Sequence, residues 1–597
     1  MHKIGRRFHA GDAMKHEISR FSMKMRTLIF AGACILMMAG VFGRMIWLMV
    51  WQSAYYEEEA ADVQQRERSI KAARGEIYDR NGTLLAGNRT VCTISVVHNQ
   101  VEEPERVMEK LSEILKLSKE TVRKKVEKYS SREIIATNVD KADGDQVRAL
   151  HLAGVKVDED YKRYYPNGTL ASKILGFTGG DNQGILGLEV QYDELLQGTN
   201  GVILTPTDAS GAELTQEAEK RIEPVAGSNL YLTLDADVQS FVQQTAESLY
   251  EEKSALQVSV IVMNPQNGEI YAMADVPEYD LNDPFTLYHG DGTEYSEEEL
   301  SVLSEEERSD LRNRMWRNFC INDTYEPGST FKIITMAAGL SENVVTPETR
   351  FYCPGYKIVE DRRIRCHKTS GHGSESFTEG AMNSCNPVFM EVGLRIGAST
   401  FMDYIKQFRI LEKTGVDIPG EAGTIMHSLD NIGEVELATM SFGQSFQLTP
   451  LRHLTTICSL INGGKVIVPH FARYAEDASG NKVEFFDWES GEGQVLESGV
   501  SETVRTILEA VVAEGGGKKA YIEGYRIGGK TATSEKLPRG NGKYISSFMG
   551  FTPAEDPTLA ILVLVNEPEG IYYGGTVCAP AAAKILENII PFMEERY

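Results

Sequence analysis

The chain has 597 residues, 42% hydrophobic and 25% charged, which leaves room for two or three globular domains. A net charge of −25 argues against nucleic acid as a partner, because phosphate binding needs clustered basic surface. Eight cysteines are too sparse for a disulfide scaffold.

The charge is unevenly placed. Seven basic residues against two acidic ones precede residue 27, and Thr27 to Gly43 then carries no charge. Arg44 interrupts, and Met45 to Trp51 is apolar again. Together they predict a helix able to cross a bilayer core of roughly 30 Å, with Arg44 snorkelling near one end. Trp47, Trp51, Tyr55 and Tyr56 suit the far interface, and the basic tail is expected inside the cell. Bulky Trp47 to Trp51 fits a signal-peptide cleavage site poorly. The expectation is a cytoplasmic tail over 1–26, a single-pass anchor in the cell membrane over 27–51, and an extracytoplasmic remainder. Cys34 falls in the anchor, leaving an odd number of cysteines outside.

Glu57 to Lys71 is charged and helix-permissive. Asn81-Gly82 signals a tight turn before apolar Leu84-Leu85-Ala86, and Val91 to Val97 reads as a strand. Glu102 to Tyr129 reads as amphipathic helices, and Tyr161 to Gly201 as a Gly- and turn-rich stretch. A boundary is expected near Pro224 to Ser228, which defines a mixed module over 52–228 and a second domain over 229–597. In the latter, Leu230 to Leu234 predicts a strand. Asp235 or Asp237 then caps a helix with Val238, Phe241, Val242, Thr245 and Leu249 on one face. Val258 to Met263 and Glu269 to Ala274 predict a hairpin of two central strands. His289 to Asp310 is acidic and is read as a solvated insertion. Leu559 to Val565 predicts a buried strand, and Ala579 to Glu594 a helix in which Pro591 is a kink site. Strands at both ends of this segment suggest a sheet closed by sequence-distant strands.

Three short motifs carry chemistry. In Ser329-Thr330-Phe331-Lys332 the serine opens an apolar helix and the lysine stands one turn on, on the same face. A serine hydroxyl is a weak nucleophile until a base takes its proton, and a lysine serves as that base when burial lowers its pKa. Ser384-Cys385-Asn386 offers a hydroxyl to relay a proton and an amide to hold a carbonyl. Lys530-Thr531-Ala532-Thr533 predicts a strand that presents a lysine and threonines on one face, where Lys530 and Thr531 bind a carboxylate. Gly524 to Thr531 also fits a phosphate-binding loop, G-x-x-x-x-G-K-T, but a Gly- and Pro-containing loop follows instead of a helix, so nucleotide is not expected.

The order S-x-x-K, S-x-N, K-T-x is the set found in penicillin-recognising serine enzymes. Arg74 to Gly82, Arg163, Pro166, Gly184, Gly187, Leu188, Glu189, Trp316-Arg317-Asn318, Gly371-His372-Gly373, Ser441 to Gln444, Phe548 to Phe551 and Tyr573-Gly574-Gly575 extend the likeness. Over nearly its whole length the chain resembles the class B penicillin-binding proteins. That resemblance implies an α/β (α+β) transpeptidase domain with a central antiparallel sheet flanked by helices. An elongated α+β pedestal, the dimerisation module, and one transmembrane helix would precede it. It implies Ser329 as nucleophile, Lys332 as general base, and Ser384 and Lys530 assisting leaving-group protonation. Asn386 would hold the donor amide, and Lys530, Thr531 and Thr533 the terminal carboxylate. The partners implied are peptidoglycan stem peptides ending in D-Ala-D-Ala, β-lactams as inhibitors, and a separate polytopic glycan polymerase. No cofactor is implied.

The family usually has Gly where this chain has Ala532, and the extra methyl is expected to crowd the substrate strand. Cys353, Cys366, His367 and His372 are metal-ligand types, but their spacing is no standard zinc pattern. No metal is therefore expected, and His372 is read as part of the fold or cleft wall. Cys366 and Cys385, with Asp361 to Ile364, resemble the sporulation-specific stage V branch, which implies a redox pair that gates the S-x-N element. The alternative to an enzyme is a division or sporulation scaffold, or a β-lactam sensor. The sensor would need a cytoplasmic output domain, which a 26-residue tail cannot supply. The triplet alone does not separate cross-linking from hydrolysis.

Overall fold

The computed structural model describes residues 11–53, 55, 65–130, 132–206, 220–290, 292–488 and 493–596. The start of the basic tail, Tyr56 and most of the charged stretch after it lie outside the described residues. The N-terminal helix Gly11–Ile46 continues through a wider turn, Trp47–Trp51. Its segment Lys24–Trp51 is long and apolar enough to cross a membrane.

Gln65–Ile70 is a strand rather than a helix, paired antiparallel with Gly201–Pro206. The β-branched run Val202-Ile203 offers a ladder, and this pairing overrides local helix preference. The Asn81-Gly82 turn forms as expected, with Gly82 at φ +87°, and leads into the long strand Leu84–Val96. That strand pairs with Glu133–Asp140 and Val155–Tyr164. Helices Pro104–Leu115 and Lys119–Val126 bury Val107, Met108, Leu111, Val122 and Val126 in the small core over this sheet. Two family-like blocks meet nearby. Arg74 Nε and Arg163 Nε each donate to one carboxylate oxygen of Glu189 at 2.6 Å, with all three side chains buried.

The expected boundary near residue 228 is bridged by hydrogen bonds. Asn229–Leu232 pairs in parallel with Ile77–Tyr78 on one side and antiparallel with Ala472–Glu476 on the other. One seven-stranded sheet therefore draws on both halves of the chain.

The second sheet is antiparallel, in the order Ile270–Val276, Gln257–Met263, Leu559–Asn566, Tyr544–Thr552, Gly528–Glu535. Leu559–Asn566 is its centre and is buried throughout. The hairpin expected to be central lies instead at one edge, because Leu559–Asn566 pairs against Gln257–Met263 and leaves Ile270–Val276 outermost. Side chains alternate between two cores: Val260, Val262, Ile561 and Val563 join the helices Ala236–Lys253 and Gly574–Arg596, while Ile261, Met263, Leu562 and Leu564 join the helical side containing Pro450–Ile461. Coverage of both faces explains why these strands read as unbroken apolar runs.

Asp235 caps Ala236–Lys253 by accepting from Asp237 N and Val238 N. Phe241 departs from the expected face; the buried stripe is Val238, Val242, Ala246 and Leu249, one helical turn apart in each case, and Phe241 points away. The acidic insertion holds two helices, Glu297–Val302 and Glu305–Trp316, neither with a buried residue. Reciprocal caps start each one, Ser296 with Glu299 and Ser304 with Glu307. Gly574–Arg596 runs as one helix through Pro580 and Pro591.

Candidate active site

Pro327 and Gly328 deliver the chain into a tight turn, Gly328–Phe331, and helix Lys332–Ser341 follows at once. Ser329 thus sits in the turn rather than on the α-helix itself. Gly328 N donates to Gly443 O at 2.9 Å, and Thr330 Oγ1 donates to Pro327 O at 2.8 Å. Gly443 has φ +89°, and a Cβ built there would fall 2.0 Å from Gly328 O. Only glycine lets the Ser441–Gln444 loop prop the turn so closely.

Lys332 begins a buried helix and is itself 0% exposed. Its Nζ donates to Ser384 O at 2.7 Å, Ser384 Oγ at 3.2 Å and Asn386 Oδ1 at 2.7 Å. The S-x-N element reaches it through a reversal between helices Phe377–Met382 and Asn386–Ile396. Ser384 takes φ +52° there, a left-handed conformation uncommon for serine, and Cys385 N closes the turn on Gly380 O at 2.8 Å. From the opposite side, Lys530 Nζ donates to Ser384 Oγ at 2.9 Å and to Thr531 O at 3.0 Å. The Ser384 hydroxyl therefore lies between two amines and can pass a proton between them. Among the described residues, no hydrogen bond joins Ser329 Oγ to Lys332. Such catalytic contacts commonly tighten only with substrate in place.

Burial lowers the Lys332 amine to about 8, opposed by the nearby Cys366, Cys385 and Glu375. Lys530 is pushed well below the ordinary lysine range by burial and by the charge of Lys332. Both shifts favour the neutral amine that proton abstraction needs.

Gly528–Glu535 is an edge strand, which rules out a phosphate loop at Lys530 because no helix follows Thr531. Lys530 does not share a face with the threonines as expected. Alternation puts Lys530, Ala532 and Ser534 on the buried face and Thr531 and Thr533 on the other. Gly574 N donates to Thr533 Oγ1 at 3.0 Å, which leaves that hydroxyl's proton free to donate. The Ala532 methyl is buried beside Gly328, on the side of the Ser329 turn and away from the threonine face.

Sequence reasoning missed two supporting residues. Glu326 accepts from Ser445 N at 2.9 Å and pairs with Arg539, so it ties the 536–543 loop to the Ser329 turn. Beside it opens a cavity of about 160 Å³ lined by Thr324, Tyr325, Gln447, Leu537 and Ile545. The adjacency of Glu326 to Pro327 was the available signal.

The donor atoms of Cys353, Cys366, His372 and Cys385 all lie within 4.8 Å of one another. The sequence reading placed His372 in the fold or cleft wall and did not bring these four together. The spacing is unusual because each donor comes from a different strand end, loop or helix start. Among the described residues all eight cysteines are free thiols, the expected redox pair Cys366 and Cys385 included. Cys366 is the more acidic of that pair because Cys385 hydrogen-bonds to it, and Cys385 is raised for the same reason.

Residues 258–587 match the penicillin binding protein transpeptidase domain, and residues 69–232 the penicillin-binding protein dimerisation domain. Stage V sporulation protein D of Bacillus subtilis (strain 168) is 39% identical over 543 residues, covering 89% of this chain and 80% of that protein. Peptidoglycan D,D-transpeptidase FtsI of Escherichia coli (strain K12) is 27% identical, covering 95% and 92% respectively. Penicillin Binding Protein 2X from Streptococcus thermophilus shares the fold at a TM-score of 0.71 and 21% identity, over 88% of this chain and 80% of that one. With its Ser329 turn, paired amines and two-part architecture, the chain belongs to the class B penicillin-binding proteins, the transpeptidase family that also includes the stage V sporulation and division enzymes.

Proposed function

We propose that the protein is a membrane-anchored serine D,D-transpeptidase that cross-links peptidoglycan outside the cell, in sporulation or division. The observation that carries this is the convergence of Lys332, Ser384, Asn386 and Lys530 behind the Ser329 turn. Ser329 Oγ attacks the carbonyl of the penultimate D-Ala of one stem peptide as Lys332 takes its proton. Terminal D-Ala leaves, protonated through Ser384 and Lys530. The amine of a second stem then attacks the ester and restores Ser329. Asn386 holds the donor amide. Thr531 and Thr533, on the strand face opposite Lys530, hold the terminal carboxylate, and backbone N–H groups of Ser329 and Thr533 receive the oxyanion. β-Lactams acylate Ser329 as donor mimics. The basic tail lies in the cytoplasm, and a separate polytopic polymerase supplies nascent glycan.

The test is fluorescent penicillin labelling of detergent-solubilised full-length protein, wild type against Ser329→Ala, with mass spectrometry of cross-linked stem peptides. Labelling and cross-linking should both vanish in the variant. Equal labelling would remove Ser329 from the reaction, and free D-Ala without cross-links would make the protein a hydrolase.

A further inference from the structure

We propose that one face of the hairpin formed by strands Tyr356–Val359 and Arg362–Arg365 docks the second, amine-bearing stem peptide, and that Arg363 and Arg365 bind its carboxylates. The inference rests on the transpeptidase reading and adds the acceptor's site to it. The whole chain carries a net charge of −25. Residues 356–368 run against that balance, with Lys357, Arg362, Arg363, Arg365 and Lys368 against Glu360 and Asp361. A stem peptide with ionised carboxylates is repelled by an acidic protein and drawn to such a patch.

The register sorts these side chains. Tyr356 opposes Arg365 and Ile358 opposes Arg363, so the four share one face, while Lys357, Val359, Arg362 and Ile364 share the other. The second face is turned to the protein. Val359 is buried, Ile364 packs on the main core, and Lys357 Nζ donates to Glu391 at 2.6 Å. The first face is uncovered. Ile358 is 62% exposed, and both arginines are exposed. Arg363 Cζ stands 3.8 Å over the centre of the Tyr356 ring. A guanidinium stacked in this way is already oriented, and its N–H edge stays free to meet a carboxylate in two parallel hydrogen bonds. Among the described residues neither Arg363 nor Arg365 forms an ion pair, whereas Arg362 pairs with Asp361 at 3.6 Å. The hairpin's base is fixed. Cys366 N donates to Gly355 O at 2.9 Å, and a Cβ on Gly355 or Gly371 would come within 2.4 Å of backbone in the opposing segment.

Position selects the acceptor stem as occupant. Asn386 Nδ2 donates to Arg365 O at 3.3 Å, and Asn386 Oδ1 accepts from Lys332, so one side chain joins the hairpin to the amine behind Ser329. Lys530 and its strand reach Ser384 from the opposite side. The donor stem occupies that strand. By microscopic reversibility the attacking amine enters where the D-Ala nitrogen departs, beside Ser384. The rest of the acceptor is kept off the strand by the donor and extends over Asn386 onto the hairpin. Arg363 lies two strand residues beyond Arg365, about 7 Å, within the span of a short extended peptide.

The test uses full-length protein in detergent, acylated with penicillin so that the donor position is filled and nothing turns over. The probes are stem tripeptides, L-Ala-γ-D-Glu followed by lysine or by meso-diaminopimelate, labelled at the N-terminus and read by fluorescence anisotropy. The acylated wild type should bind at least one of them, more weakly as salt rises. Arg363→Ala/Arg365→Ala should weaken that binding about tenfold, and amidating the peptide carboxylates should weaken wild-type binding to the same degree. Arg362→Ala, on the packed face, is the control and should bind normally. No binding to the wild type, equal binding by the double variant, equal binding of the amidated peptide, or an equal loss in Arg362→Ala would each overturn the proposal. Penicillin labelling needs no acceptor, so its absence in the wild type would strike the transpeptidase reading instead. Labelling slowed in the double variant would place the arginines on the donor side and overturn the acceptor assignment.

Discussion

Gly443→Ala should disable the nucleophile turn without touching any group that contacts substrate. The new Cβ would stand 2.0 Å from Gly328 O, 2.6 Å from its carbonyl carbon and 2.8 Å from its Cα. Non-bonded carbon and oxygen need roughly 3.3 Å, so one segment must retreat by more than about 1 Å. Gly443 also has φ +89°, where a side chain adds about 1–2 kcal/mol of strain. Gly443 O accepts from Gly328 N, so the retreat drags or breaks the contact that seats Ser329. A misplacement of about 1 Å in a catalytic group costs about a hundredfold in rate. The second-order rate of fluorescent penicillin acylation should therefore fall about a hundredfold, with a comparatively small drop in melting temperature. Gly423→Ala, with nothing within 4 Å of its Cβ position, is the control and should acylate normally. A folded Gly443→Ala protein acylating at the wild-type rate would refute the view that this loop sets the turn.

Lys332 must lose its proton to act as base, and with its pKa near about 8 the neutral fraction rises about tenfold between pH 7 and pH 9. Acylation should rise by that factor and then level off; a flat profile would count against Lys332 as the base. Ser384→Ala should slow acylation by about a hundredfold or more while circular dichroism stays unchanged, and wild-type kinetics would remove the relay between the two amines. In the pedestal, Glu189→Ala leaves the buried Arg163 guanidinium without an acidic partner, while Arg74 keeps Asp193, costing about 3–5 kcal/mol; denaturant unfolding with limited proteolysis of the pedestal reads that loss, and unchanged resistance would contradict it. Ala532→Gly should cost about 0.4–1 kcal/mol through chain entropy and leave acylation unchanged; faster acylation would place the methyl in the substrate path after all.

The chemistry was legible where it depends on neighbours in sequence. Ser329 and Lys332 are three apart, Ser384 and Asn386 two apart, and each pair needs only one turn to converge. The apolar run after Lys332 announced the burial that lowers its pKa. The strand Leu559–Asn566 was legible for a similar reason, since coverage on both faces leaves an unbroken apolar string. Features assembled from distant segments were not. Cys353, Cys366, His372 and Cys385 come from separate elements, and no spacing rule anticipates a crossing held by Gly355 and Gly371. Gln65–Ile70 gave no strand signal because its partner supplies the apolar ladder. The opposed faces of Lys530 and Thr531 follow from simple alternation, which the motif's compactness disguised. The caps at Ser296 and Ser304 were present as S-x-x-E, masked by the surrounding acidity.

The strand Asn229–Leu232 has a practical consequence for anyone cutting this molecule apart. It is stitched to Ile77–Tyr78 along one flank and to Ala472–Glu476 along the other. A recombinant fragment starting at residue 229 would strip one flank bare, and unpaired strand edges invite intermolecular pairing. Fragments intended for crystallisation or inhibitor screening should therefore begin upstream of Arg74, so that the stitch and the buried pairing with Glu189 travel together.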